Sequence, residues 1–275
     1  MWPKNTLQAE IMRTMKKPAA ETCVNENPLI HEGDGEVSLH FNFPTIQSRM
    51  RKAEPARLLL DYTRTMMGFL LLQPKPQRIA MIGLGGGSLA KYCRTKLPDA
   101  DFTAIELSAE VIALRDEFEI PPDGPLFRVI CGDGAEYVRG DAEPSDILLI
   151  DGFHAEGQPE QLCSAAFYDC CYNKLNEGGV LVVNLCADDT GYGSYVGRIR
   201  DSFAERIVVI EADEGENKIV FAQKGGIFPP AFNEISERLR ALEATHPVDL
   251  DRTAQKILHP GKKRSAGRRR GRQIR

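Results

Sequence analysis

The stretch that decides the fold is Ile79-Ala-Met-Ile-Gly-Leu-Gly-Gly-Gly-Ser88, which a helical pattern connects to Phe102-Thr-Ala-Ile-Glu106. An apolar run typical of a β-strand breaks into four glycines within five residues, and a second apolar run ends in an acid 23 residues after Gly83. Glycines allow a tight turn and close approach of the backbone to a ligand, and the acid accepts hydrogen bonds from ribose hydroxyls. The stretch therefore predicts a βαβ unit that binds a nucleoside-type ligand.

Length and composition indicate a soluble α/β protein. The 275 residues allow one large α/β domain with small additions, and 42% hydrophobic and 27% charged residues are ordinary for a globular chain. The longest apolar run, near Met66 to Leu72, is far shorter than the roughly 20 residues of a membrane helix. The N-terminus has no basic segment followed by an apolar core, so we expect a cytoplasmic location. Seven scattered cysteines without C-x-x-C and five histidines without ligand spacing indicate reduced thiols and no metal site.

Charge is distributed unevenly along the chain. Residues 262–275 contain eight Lys and Arg and no acid, which leaves 27 basic residues against 39 acids in residues 1–261, a net charge of −12. A body this acidic attracts small cations and repels nucleic acid. The basic tail has no apolar content to fold around, so we expect disorder. It could contact nucleic acid or another acidic partner, fold back on the acidic body, or remain a solvated tail.

Apolar periodicity divides the chain into four regions. We predict a mobile N-terminal arm over residues 1–27, a short β-hairpin region over 28–54, a main α/β domain over 55–245, and a C-terminal extension with the basic tail over 246–275. Near-continuous apolar strands that alternate with helical patterns indicate a mostly parallel sheet covered on both faces. Seven strands are expected, the last two forming an antiparallel hairpin with one antiparallel edge strand, at residues 79–83, 102–106, 126–131, 146–151, 180–184, 207–211 and 218–223.

Three acids follow successive predicted strands at the end where open α/β sheets bind ligands, namely Glu106, Asp133 and Asp151. Each could instead be a helix N-cap or a turn former. An NAD site would also place an acid at Glu106, but Asp133-Gly134 and the closing antiparallel hairpin are not typical of a dehydrogenase. An acid for the ribose, an acid for an adenine amino group and a glycine loop for the sugar-proximal chain favour an S-adenosyl compound.

The chain resembles the spermidine synthase (polyamine aminopropyltransferase) family, within the class I methyltransferase fold. The resemblance covers roughly residues 28–225 and rests on Gln47-Ser-Arg-Met50, Pro76–Ser88, Ala104-Ile-Glu106, Cys131-Gly-Asp-Gly-Ala135, Ser145–Asp151, Leu162, Phe167-Tyr168 and Leu175–Val180. It implies a catalytic domain over residues 55–245, a Rossmann-like fold, S-adenosylmethionine or its decarboxylated form as co-substrate, a small amine as acceptor, and a homodimer. The implied binding residues are Gln47, Gly83, Gly85, Gly86, Gly87, Glu106, Leu107, Asp133, Gly134, Ala135 and Asp151.

Two departures from the family pattern affect the expected chemistry. Gly86 stands where the family has an aspartate that holds the aminopropyl ammonium of the decarboxylated co-substrate. After the fourth strand, Asp151-Gly-Phe-His154 replaces the family's Asp-Ser-x-Asp-Pro. Asp151 could orient or deprotonate an attacking amine, and His154 could replace the second acid as a base. Glu156 and Glu160 could supply negative charge nearby.

These observations leave three hypotheses open. The first is an aminopropyltransferase-like enzyme of polyamine metabolism with Asp151 and His154 as catalytic residues, which the acidic body favours. The second is a methyltransferase that uses intact S-adenosylmethionine, which the missing carboxylate at Gly86 favours. The third is a nucleoside-binding protein that has lost catalysis.

Overall fold

The structure is a computed structural model that describes residues 28–41, 45–153, 157–214 and 217–260. The predicted N-terminal arm, the basic tail, His154 and Glu156 lie outside the described residues.

Ten strands and eight α-helices make up the described chain. The strands are β1 (Leu29–Gly33), β2 (Glu36–His40), β3 (Ser48–Arg51), β4 (Arg78–Ile82), β5 (Asp101–Glu106), β6 (Phe127–Cys131), β7 (Ser145–Ile150), β8 (Leu175–Cys186), β9 (Ile207–Glu211) and β10 (Asn217–Gln223). The helices are α1 (Asp61–Met66), α2 (Ser88–Lys96), α3 (Ala109–Ala113), α4 (Gly134–Arg139), α5 (Ala165–Asn173), α6 (Tyr192–Ser202), α7 (Phe232–Glu243) and α8 (Leu250–Leu258). Short 3-10 helices cover Met67–Leu71 and Glu160–Leu162.

The main sheet has seven strands in the order β6-β5-β4-β7-β8-β10-β9, with β4 to β8 parallel, which confirms the predicted fold class. The predicted closing hairpin is present, since β9 and β10 pair antiparallel. The strand that runs against the parallel strands is β10, which lies between β8 and β9, so the prediction that this strand forms the edge was wrong. The 12-residue β8 offers a long apolar partner to β10. The shorter β9 has only alternate residues buried, as suits an edge strand.

The N-terminal region is a three-stranded sheet in the order β1-β2-β3 rather than a hairpin alone. Strand β3 was not predicted, because Ser48-Arg-Met-Arg51 is short and contains little apolar sequence. In β3, buried Ser48 and Met50 alternate with Arg49 and Arg51, which pair with Glu36 on β2. This alternation is the period expected of a strand with one buried face.

Two helix boundaries differ from the predictions, and a side-chain cap marks one of them. The apolar pattern predicts one helix after Pro55 and another over about residues 159–175. The first begins only at Asp61, and the second is divided by Ser164, whose hydroxyl accepts the Phe167 N–H of α5. Helix α4 was not predicted. Among the described residues, no helix is both long and apolar enough to cross a membrane.

Helix α8 belongs to the main core, although it lies in the segment predicted as an extension. Leu250, Ala254 and Ile257 of α8 are buried in the same cluster as Phe69 and Phe221. The predicted boundary at residue 245 therefore does not coincide with a change in packing. A second buried cluster, which includes Tyr168 and Phe203, covers the opposite face of the sheet.

Candidate active site

A cleft of about 1220 Å³ opens where the parallel strands end. The carboxyl ends of β4, β5, β6, β7 and β8 contribute Gly83, Glu106, Asp133, Asp151 and Asn184 to its wall. The sequence analysis placed four of these five residues at that edge, and the structure brings them together. Gln47, Gly85, Leu107 and Gly134 also line the cleft.

Position 83, at the end of β4, requires glycine because the backbone turns there directly against another segment of the cleft wall. Its φ is +88°, and a Cβ at this position would lie 2.2 Å from the carbonyl oxygen of Asp151. Its N–H donates to the carbonyl of Ile105 at 2.8 Å. The absence of a side chain therefore lets the loop after β4 pass directly against Asp151, the residue that follows β7.

Gly86 and Gly87 are packed closely against neighbouring side chains. A Cβ on Gly86 would lie 2.6 Å from the Ser48 hydroxyl and 2.7 Å from the Phe118 ring, and a Cβ on Gly87 would lie 2.6 Å from Ile120. Neither glycine is part of the cleft wall, unlike the predicted co-substrate contacts at these positions. A carboxylate side chain at position 86 would displace Ser48 or Phe118. The packing around position 86 therefore suits the glycine found here and not the aspartate of the family pattern.

Glu106 is fixed in place by two backbone donors. Its Oε2 accepts the Leu84 N–H at 2.8 Å, and its Oε1 accepts the Ser108 N–H at 2.9 Å. Each carboxylate oxygen has a further lone pair. The side chain can therefore anchor the loop after β4 and still accept hydrogen bonds from a ligand.

Asp133 caps helix α4. Its Oδ1 accepts the backbone N–H groups of Ala135 at 2.6 Å and Glu136 at 3.3 Å, which leaves Oδ2 for a donor in the cleft. The N-cap role and the ligand role, posed above as alternatives, are therefore compatible. Ala135 is fully buried, lies outside the cleft wall and donates its N–H to Asp133.

Asp151 lies at the end of β7 and accepts two side-chain hydrogen bonds. Its Oδ1 accepts from the Asn184 amide at 2.9 Å, and its Oδ2 accepts from the Tyr62 hydroxyl at 3.3 Å. Burial raises the pKa of Asp151 to about 6, although these two hydrogen bonds lower it. Burial and the neighbouring carboxylate raise the pKa of Tyr62 well above its usual value, so Tyr62 remains a donor.

Sequence reasoning missed Tyr62, Asn184 and Asn217. The apolar pattern places Tyr62 on the apolar stripe of the helix predicted after Pro55, and Asn184 at the end of the strand predicted over residues 180–184. Asn217 donates from its amide to Asn184 Oδ1 at 2.9 Å, and both asparagines line the cleft. A polar residue at the carboxyl end of a buried strand was an available signal for Asn184, but the partner on β10 depends on strand register.

The cleft is strongly acidic. Arg49 is the one cationic side chain among its described lining residues, and it pairs with Glu36 at 2.5 Å. Eight acids line the same cleft, namely Asp61, Glu106, Glu110, Asp133, Asp151, Asp188, Asp189 and Glu214. Glu160, considered above as a source of charge, is exposed and outside the wall. Asp61 pairs with Arg64 at 3.1 Å, and the remaining excess of carboxylates suits a positively charged ligand.

No cluster of three or more His, Cys, Asp or Glu suitable for a metal ion occurs within the described ranges.

Solved structures similar to this chain show its fold. A probable spermidine synthase from Corynebacterium glutamicum matches with a TM-score of 0.65 and 20% identity, over 84% of this chain and 91% of that one. Human methyltransferase-like protein 13 in complex with SAH matches with a TM-score of 0.60 and 22% identity, over 72% of this chain and 93% of that one. The chain thus has a Rossmann-like methyltransferase fold.

Curated relatives give the family, although no protein-family model matches the chain. The polyamine aminopropyltransferase of Neisseria meningitidis serogroup A is 35% identical over 217 residues, which cover 78% of this chain and 82% of the relative. The polyamine aminopropyltransferase of Chromobacterium violaceum is 36% identical over 211 residues, which cover 76% and 80%. By this similarity along most of both sequences, the chain belongs to the polyamine aminopropyltransferase family.

Proposed function

We propose that this chain transfers an aminopropyl group from decarboxylated S-adenosylmethionine to a small amine of polyamine metabolism. The observation that carries the proposal is the position of Asp151, a half-buried carboxylate with a raised pKa in the wall of an acidic cleft. The names of the curated relatives support the same reaction.

Glu106 and Asp133 are suited to the nucleoside half of the co-substrate. The oxygens of Glu106 are held toward the cleft by the Leu84 and Ser108 N–H groups and are matched to two ribose hydroxyls. Oδ2 of Asp133 is matched to an adenine amino group, which has only donor hydrogens there. Gly85, Leu107 and Gly134 complete this part of the wall.

Asp151 is suited to receive the proton that the reaction releases. The nitrogen of the acceptor forms a bond to the carbon next to the sulfonium while the carbon–sulfur bond breaks, and the sulfur leaves with that electron pair as a thioether. The nitrogen must lose a proton, and a carboxylate with a pKa near 6 accepts it more readily than an ordinary aspartate. Tyr62 and Asn184 hold that carboxylate in a fixed direction.

The charge of the cleft agrees with this choice of substrates. Both the decarboxylated co-substrate and a polyamine carry ammonium groups, which need carboxylates to offset their loss of hydration. Since Gly86 supplies none, the remaining acids of the wall take that role in our proposal.

Methyl transfer from intact S-adenosylmethionine is the second candidate. Two observations favour it: the space beside Gly86 is filled by Ser48 and Phe118, and Arg49 in the wall could pair with the carboxylate of the methionine moiety. The ion pair between Arg49 and Glu36 reduces the charge that Arg49 offers to a ligand, which is why we rank methyl transfer second.

A substitution at Asp151 tests the proposal. In assays with decarboxylated S-adenosylmethionine and a series of diamines, Asp151→Asn should lower kcat by about 10²–10⁴, the contribution of a general base. Asp116→Asn is the matched control, because Asp116 is exposed and outside the cleft, and it should retain full activity. Full activity of Asp151→Asn would contradict the proposal, and nucleoside binding by wild type without any turnover would indicate an inactive binding protein.

A further inference from the structure

We infer that Asn217 is a positioning residue, which holds Asn184 in the amide orientation that directs a donor at the carboxylate of Asp151. This inference deepens the proposed function and rests on it for the role of Asp151. Three side chains form a relay in which Asn217 donates to Asn184 at 2.9 Å and Asn184 donates to Asp151 at 2.9 Å.

Strand register brings the two asparagines together. In the antiparallel pair of β8 and β10, Asn184 lies opposite Ile219, and Asn217 lies opposite Cys186. Asn217 and Asn184 are therefore diagonal neighbours on one face of the sheet, within reach of each other's side chains. The same face carries α1, from which Tyr62 reaches the other oxygen of Asp151.

The donors and acceptors of Asp151 and Asn217 determine which way the Asn184 amide is oriented. An ionised aspartate only accepts hydrogen bonds, so Asn184 must turn its NH2 group toward Asp151 and its oxygen away. Asn184 is only 3% exposed, so no bulk solvent is available to satisfy that oxygen. Asn217 supplies the donor, and its removal would leave the Asn184 oxygen without a partner and weaken the hydrogen bond that Asn184 donates to Asp151.

Other charged groups of the cleft do not form this relay. Tyr62 on α1 and Asn184 on β8 are the described side chains that hydrogen-bond Asp151. Further titratable groups in the wall are Arg49, Asp61, Glu106, Glu110, Cys131, Asp133, Cys186, Asp188, Asp189 and Glu214. These groups are the same in wild type and in the variants at position 217. A difference in the titration of Asp151 between these proteins therefore reports on position 217.

The test compares Asn217→Asp and Asn217→Leu in the full chain. Asn217→Asp places a carboxylate on each side of the Asn184 amide, so either Asp151 or the new aspartate must face the amide oxygen. The added negative charge also raises the pKa of Asp151. The titration midpoint of Asp151, followed by carbon-13 NMR of its carboxyl, should rise by about one pH unit, which corresponds to about a tenfold lower ionised fraction below that midpoint. Asn217→Leu removes the donor without adding charge and should raise the midpoint less.

Controls separate positioning from a general loss of structure. Asn233→Asp adds the same charge at an exposed site of α7 and should leave the midpoint unchanged. The acidic limb of kcat/KM should move with the NMR midpoint in both Asn217 variants. An unmoved midpoint in Asn217→Leu and Asn217→Asp would overturn the inference, even if activity falls. Because NMR reports on the carboxyl itself, the inference can be decided if no amine is alkylated, in which case the proposed function alone fails.

Discussion

At the scale of single residues, Asp151 combines burial with two directed donors. Burial disfavours its charged form and raises its pKa, whereas Asn184 and Tyr62 stabilise that form. Burial has the larger effect, so the carboxylate is a better proton acceptor than one in water. The same arrangement leaves it ionised at neutral pH, as a base must be.

Activity should therefore fall as the pH falls through about 6. Below this pKa, Asp151 is protonated and cannot accept a proton from the amine, so kcat/KM should decrease about tenfold for each further pH unit. The measurement is a pH profile of kcat/KM between pH 4.5 and 8 with saturating co-substrate. A profile that stays level down to pH 4.5, as an ordinary aspartate with a pKa near 4 would give, would show that Asp151 does not control the reaction.

At the scale of elements, the loop from Gly83 to Gly87 joins β4 to α2 and serves two surfaces. Gly83 and Gly85 form part of the cleft wall, whereas Gly86 and Gly87 pack against Ser48, Phe118 and Ile120. One glycine-rich run thus permits ligand approach on one side and close packing on the other.

Substitutions of two glycines by alanine should have opposite effects on stability. Gly83→Ala places a Cβ against the backbone of Asp151 at a φ of +88°, so it should lower the free energy of unfolding by at least about 2 kcal/mol. Gly197→Ala lies within α6 with open space around the new Cβ, and it should raise that free energy by about 0.5–1 kcal/mol. Urea denaturation measures the free energy of unfolding of both variants. Equal stability of the two variants would contradict the backbone geometry described for Gly83.

At the scale of the whole molecule, much of the site follows from the sequence because parallel strands end at one edge. The near-continuous apolar runs located β4 to β7, and Glu106, Asp133 and Asp151 follow from their ends. Contacts set by tertiary packing were not predictable, such as Phe118 against Gly86. The relay from Asn217 also depends on the register between β8 and β10. The homodimer and the partner of the basic tail stay predictions.

Stability should decrease in mild acid through His246. This histidine is buried between α7 and α8, contacts the Tyr92 hydroxyl at 3.1 Å, and has a pKa lowered by burial and by Lys96. Its contribution is complete above about pH 6.5 and is lost as the pH falls, because the unfolded chain binds a proton that the folded one resists. Asp151 has an effect of opposite sign, since its pKa is raised.

Comparison with a variant isolates the histidine. Tm measured at pH 7.5 and pH 5.5 should drop more for wild type than for His246→Gln, while both proteins retain the same contribution from Asp151. An equal drop in both would show that His246 does not control acid stability.

The proposed reaction requires the cleft to bind the decarboxylated co-substrate in preference to intact S-adenosylmethionine. Isothermal titration calorimetry of wild type with decarboxylated and with intact S-adenosylmethionine, at pH 7.5 and one ionic strength, tests it most directly. Eight acids in the wall, against one arginine that is itself paired, predict tighter binding of the decarboxylated form, which lacks a carboxylate and carries a higher positive charge. Tighter binding of intact S-adenosylmethionine would contradict the account and favour methyl transfer.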